Sequence, residues 1–262
     1  MTSFNASLEQ PSSSNPMGNP VLGQGTTTGG RNWIGYLATE YNKTTVLSYN
    51  LAVGGATLDN NIVANPGYPY DVVSQVGLFE SVYRSKPSSA PWSSSNAVFG
   101  SWIGVNDAGN SWWFSDPQNF TSVWANKYES LFEQVYRDGG RKFLILNVPP
   151  IQRSPFWESQ GTDAVKQLAT YLPILNKAIA DFARDFKRRH RDATVVFYDT
   201  FSLMSSIIDD PVKYGYPNAT AGSCYADDGT SCVWWNSLHP GKKFHQLMAI
   251  DIARHASSLG AW

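Results

Sequence analysis

A three-layer α/β/α sandwich on a parallel sheet is the fold this sequence predicts, and three observations predict it. Four short apolar runs, at 46–53, 97–103, 143–148 and 194–198, have the length and composition of strands. The stretches between them carry apolar residues at helical spacing, and strands that alternate with helices pair in parallel and are buried on both faces. Finally, 262 residues with 42% hydrophobic content are enough to bury one good-sized core, so a single domain over 1–262 is expected.

The elements follow in order. Residues 1–30 are rich in Ser, Gly, Pro, Asn and Thr and read as an irregular segment. Trp33 to Tyr41 reads as a short helix. Val46 to Val53 reads as a strand ended by Gly54-Gly55. Asp71 to Lys86 spaces Val72, Val76, Phe79 and Tyr83 as a helix does, with Asp71 as its N-cap. Ala97 to Ile103 is the next strand. Phe120 to Arg137 is an amphipathic helix with Val123, Trp124, Tyr128, Leu131, Phe132 and Val135 on one face, stopped by Asp138-Gly139-Gly140. Phe143 to Val148 is a continuous apolar strand running into Pro149-Pro150. Thr162 to His190 is a long helix with Pro173 inside it, and its basic end suits the helix dipole. Thr194 to Asp199 is the last strand and Gly241 to Ser258 the last helix.

Charge excludes some functions. Twenty basic against 21 acidic residues give a net charge of −1, which argues for neither nucleic acid nor an anionic membrane surface as partner. No apolar run approaches the roughly 20 residues that span a bilayer. No cofactor or metal is called for: the two cysteines, Cys224 and Cys232, lack zinc-site spacing and suit a disulfide across a short Gly/Asp-rich loop, with two free thiols as the alternative. Four sequons, at Asn5, Asn42, Asn119 and Asn218, lean towards a secreted glycoprotein, and a monomer is expected. Met1-Thr2-Ser3-Phe4-Asn5 has neither the charged start nor the apolar core of a leader, so the expectation is that the leader is not present in this chain.

Two stretches point to chemistry. Gly104-Val105-Asn106-Asp107 closes the apolar run at 97–103, where a buried strand ends and a loop opens. Asn236-Ser237-Leu238-His239-Pro240 puts a histidine on a loop before the last helix. Acyl transfer needs an amide that donates to an oxyanion and an imidazole that moves a proton. Taken singly, each residue has a plainer reading. Gly54-Gly55 can be a strand-ending turn, Asn106 can cap its own turn, and His239 can be a packed loop histidine. His190, His245 and His255 fall on expected helices and read as core or solvent-facing residues.

Read together, four blocks carry a resemblance. Gly54-Gly55-Ala56-Thr57, Gly104-Val105-Asn106-Asp107, Asn147-Val148-Pro149-Pro150 and Leu238-His239-Pro240, in this order, resemble blocks of the GDSL/SGNH ester hydrolases, a flavodoxin-like fold. Gln10 to Pro20 and Pro149 to Pro155 resemble the fungal acetylesterases of that superfamily, the family-sixteen carbohydrate esterases. The resemblance implies that the backbone N–H of Gly55 and the side-chain amide of Asn106 stabilise the oxyanion, with His239 as general base. It also implies acetylated plant-wall oligosaccharides as substrates. Rings near these blocks, Trp102, Trp112, Trp113, Phe114, Trp234 and Trp235, suit the apolar faces of sugars. Of the adjacent pair Trp112-Trp113, one ring is expected exposed and one buried.

Two departures bear on activity. The family's opening Gly-Asp-Ser block is absent, and with it the first strand of the sheet, whose serine would lie just before Met1; Ser3 has no preceding strand to hold it. The aspartate expected three residues before the histidine is Asn236. The expectation is therefore a serine acetylesterase that is inactive as this fragment. The alternative is a catalytically dead carbohydrate-binding protein.

Overall fold

The computed structural model describes residues 5–114 and 116–262; Ser3 and the other residues before Asn5 lie outside them. It is a mixed α/β fold on a parallel sheet. Two compact units divide the chain, one of Met1–Asn50, Pro149–Thr170 and Asp199–Trp262, the other of Leu51–Val148 and Tyr171–Tyr198.

The second unit holds the sheet: β1 (Phe99–Trp102), β2 (Lys142–Leu146) and β3 (Thr194–Tyr198), in that order and all parallel. Phe99 stands opposite Phe143, and Phe143 opposite Val195. Along β2, Phe143 and Ile145 point one way and Leu144 and Leu146 the other, yet all four are fully buried, as a strand covered on both faces requires. Helix α2 (Val72–Val82) starts on the capping box of Asp71 and Ser74, and its Phe79 meets Phe99 edge-on. Helix α4 (Pro117–Arg137) starts three residues earlier than the sequence predicts, because Asp116 caps it and Pro117 suits its first turn. Trp124, Tyr128, Leu131, Phe132 and Val135 form its buried face, while Val123, one residue out of phase, is exposed. Phe132 of α4 and Phe186 of the long helix α6 (Thr162–Arg189) both pack on Phe143 of β2.

The expected strand at 46–53 is not formed; the segment joins no ladder among the described residues. Its valines and tyrosine encode an extended preference, but a strand exists only through a paired neighbour. Sequence reading also missed three helices: α3 (Val105–Gly109), α5 (Pro155–Ser159) and α7 (Thr200–Asp209).

In the first unit, α1 (Trp33–Thr39) packs against the last helix, α8 (Lys242–His255). His245, fully buried in α8, accepts the Trp33 N–H on Nδ1 at 3.3 Å, which requires a neutral ring protonated on Nε2.

Candidate active site

One group of candidate residues grows from the end of β1. Gly104 turns the chain there with φ +110°, and a Cβ on it would stand 2.6 Å from Val148 Cγ2, so only glycine fits. The turn opens α3, whose second and third residues are Asn106 and Asp107. Asp107 is fully buried and its Oδ1 accepts from Leu58 N at 3.0 Å and from Trp124 Nε1 at 2.8 Å. Asn106 Nδ2 donates to Ala56 O at 2.9 Å. Adjacent side chains thus clamp the backbone at 56 and 58. The glycine loop of 54–57 and the strand-end asparagine are thereby brought together.

What this clamp leaves over is donor capacity. Asn106 Nδ2 has two hydrogens and spends one on Ala56, and the Gly55 N–H has no partner among the described residues. A backbone N–H and a side-chain amide, the second bonded to the carbonyl of the residue after the first, are two neutral donors of the kind an oxyanion hole uses. Burial raises the Asp107 carboxyl to about 6, against its two hydrogen bonds, and Oδ2 has no partner among the described residues. The loop is held further out by Asp59, which pairs with Lys127 at 3.0 Å, and by Asp71, whose Oδ2 accepts from Asn60 N at 2.9 Å.

A separate group of candidate residues lies in the other unit, on the loop before α8. Asn236 Oδ1 accepts from Leu238 N at 2.9 Å, from His239 N at 2.8 Å and meets His239 Nδ1 at 3.1 Å. The two backbone donors identify that atom as the oxygen, for an NH₂ group cannot accept. The ring nitrogen facing it must then carry the proton, which leaves the lone pair on Nε2, the form a general base needs. Half-burial lowers the His239 pKa and keeps the imidazole neutral around pH 7. Asn236 therefore orients the imidazole and brings no charge that would stabilise an imidazolium.

Several ties hold the loop. Trp235 N donates to His239 O at 2.7 Å, and Phe156 N to Ser237 O at 2.7 Å. Cys224 and Cys232 are disulfide-bonded, as the sequence led us to expect. Trp234 is 1% exposed and donates its indole N–H to Gly222 O, which makes it a core ring of the loop. Trp235 is half-buried against Gly29 and bonded to Asp227 O at 3.0 Å. Trp113 is 56% exposed and Trp112 half-buried rather than buried, the two rings meeting edge-on. Asn5, Asn119 and Asn218 are exposed and Asn42 is half-buried. No helix among the described residues is long and apolar enough to cross a membrane.

Sequence reading assigned Asp107 no role, although it stands inside the quoted tetrad; a carboxylate directly after the asparagine at a buried strand end was the available signal. Tyr68, whose ring lies on Gly55, was also missed, and only its place between Pro66 and Pro69 hinted at a fixed aromatic.

Comparison with known proteins gives the family. The family model of the GDSL-like lipases and acylhydrolases matches residues 12–252. An acetylesterase of Thermothelomyces thermophilus is 42% identical over 96% of this chain and 83% of its own length. An acetylesterase of Hypocrea jecorina is 27% identical over 87% of this chain and 76% of its own. A GDSL esterase/lipase of Arabidopsis thaliana is 25% identical over 68% of this chain and 51% of its own. With its four blocks in order and a family match over most of its length, the chain belongs to the GDSL-like lipase/acylhydrolase family of ester hydrolases.

Proposed function

We propose that these residues hydrolyse small carboxylic esters, acetyl groups on plant-wall oligosaccharides foremost, by a serine ester hydrolase mechanism. The observation that carries the reading is the pair of unspent donors, Gly55 N–H and the second Asn106 amide hydrogen, on backbone clamped by Asn106 and Asp107. In the mechanism a serine oxygen attacks the acyl carbon and its proton passes to His239 Nε2. The carbonyl oxygen becomes an oxyanion and takes the two donors. The imidazolium then returns the proton to the departing alcohol, and water repeats the sequence on the acyl-serine. Asn236 holds the imidazole in the tautomer this requires. The acetyl preference is supported by the acetylesterase relatives, and extracellular placement by the disulfide and the sequons.

The 262 residues contain no Gly-Asp-Ser, so we expect these residues alone to cleave p-nitrophenyl acetate no faster than their His239→Ala variant. Joining a strand that ends in Gly-Asp-Ser should give turnover that a serine-directed phosphonate abolishes. Equal inertness with and without the added block would sink the esterase reading. A second reading, a carbohydrate-binding protein, is favoured by the exposed Trp113 beside a groove of about 480 Å³ that Ile62, Phe114, Phe120 and Val123 line. Binding of unacetylated xylo-oligosaccharides, lost in Trp113→Ala, would support it.

A further inference from the structure

Gly55 has a neighbour that its proposed role does not require. Its φ is +79°, and a Cβ built on it would stand 2.2 Å from Cδ1, 2.5 Å from Cγ and 2.6 Å from Cε1 of Tyr68. The phenol ring therefore lies directly on the glycine α-carbon. Tyr68 remains 49% exposed, so this is no core contact that burial alone would explain.

The backbone that carries the ring is held there by the surrounding loop. Tyr68 N donates to Asn65 O at 3.0 Å, and Asn65 Nδ2 reaches Gly55 O at 2.6 Å. Asn60 Nδ2 is shared between Tyr68 O at 3.2 Å and Pro69 O at 3.3 Å, while Asn60 Oδ1 accepts from Thr57 Oγ1 at 3.0 Å. Three asparagine and threonine side chains are thus spent on fixing one half-exposed aromatic residue against one glycine. Side chains that order a surface ring give up conformational freedom to do it, and fixed geometry is what specificity needs.

We propose that Tyr68 is the residue that limits acyl-chain length, its ring forming the wall against which the acyl group of the ester ends. The inference rests on the reading of Gly55 as an oxyanion donor. A carbonyl oxygen bonded to the Gly55 N–H holds its acyl carbon within about 4 Å of that nitrogen. Carbons further along the chain then come within van der Waals reach of a ring seated on the same residue. A methyl fits such a space; each further methylene must displace the ring or bend away from it. A pocket that reads chain length discriminates by about tenfold or more per methylene.

Binding of product acids to the 262-residue chain tests this without any turnover. With ¹⁵N-labelled protein, sodium acetate, butyrate and hexanoate are titrated at matched ionic strength, and the Gly55 amide and Asn106 side-chain amide signals are followed. Acetate should bind at least about tenfold more tightly than hexanoate in the unaltered chain. Tyr68→Ala should erase or reverse that ratio, and Tyr68→Phe, which keeps the ring, should preserve it. Amide signals remote from the loop report that each variant is folded. If both signals respond to acetate and Tyr68→Ala leaves the ratio unchanged, the chain-length role is wrong while the oxyanion reading stands. If neither signal responds to any acid, the oxyanion reading fails and takes this inference with it.

Discussion

At the scale of single residues, Asn236 bears most on the chemistry. Its oxygen accepts two backbone N–H groups and faces the ring nitrogen, so position and tautomer of His239 come from one atom. Asn236→Asp keeps that acceptor and adds a charge, and an adjacent anion favours the protonated imidazole. The His239 pKa should rise from its burial-lowered value to above 6.5, read by NMR titration of the ring. Asn236→Ala removes the acceptor, and the ¹⁵N shifts of the ring should show both tautomers in place of one. It should also cost about 1–3 kcal/mol, since two loop N–H groups lose their partner. An unchanged ring titration in Asn236→Asp would show that Asn236 does not govern the imidazole. The Leu238-His239-Pro240 block was legible in the sequence, and so was the asparagine three residues before its histidine. That the amide oxygen still selects the tautomer was not, because it depends on which end of a side-chain amide faces the ring.

At the scale of elements, local signals carried the reading where they existed. Asp71 caps its helix through its own carboxylate, and the apolar run of β2 is a strand on sequence pattern alone, whereas the cap at Asp116 was passed over and the helix start placed too late. The missed α5 and α7 had comparable signals in Ser154-Pro155 and Asp199, whose side chains cap them, but each is too short to show helical periodicity clearly. The run at 46–53 failed for the opposite reason, since strand propensity says nothing of whether a partner lies alongside. The disulfide was legible because its loop is short, and its effect can be measured. In the chain-entropy model, closing a loop of this size contributes about 2.5 kcal/mol. Replacing Cys224 and Cys232 by Ser should lower the thermal midpoint by several degrees. Hydrogen exchange should quicken at Trp235 and Gly241, whose N–H groups tie the histidine loop. Unaltered exchange at both amides would mean that the hydrogen bonds hold the loop without the cross-link.

At the scale of the whole molecule, two buried ionisable groups pull stability in opposite directions with pH. Asp107 releases its proton near 4 in the unfolded chain but holds it to about 6 when folded, because burial outweighs its hydrogen bonds. The folded state binds the extra proton between those values. Its contribution is full below about 4 and is lost as pH rises through 6, a change on the order of 3 kcal/mol. His245 behaves inversely: burial, reinforced by His239, drives its folded pKa to about 3, against about 6.5 unfolded. Its contribution is full above 6.5 and is lost as pH falls towards 3. Between pH 4 and 6 the two slopes oppose each other. Asp107→Asn keeps an acceptor for Leu58 N and Trp124 Nε1 while removing the titration. Thermal midpoints of that variant should therefore climb more steeply with pH than those of the unaltered protein. His245→Asn, which can still accept from Trp33 N, should flatten the climb or reverse it. The slope is the readout, so a uniform loss of stability in either variant leaves the comparison intact. Parallel curves for Asp107→Asn and the parent would mean that Asp107 is ionised in the folded protein well below pH 6. The carboxylate beside Asn106 would then be a fixed negative charge next to the two donors below pH 6 as well as above it.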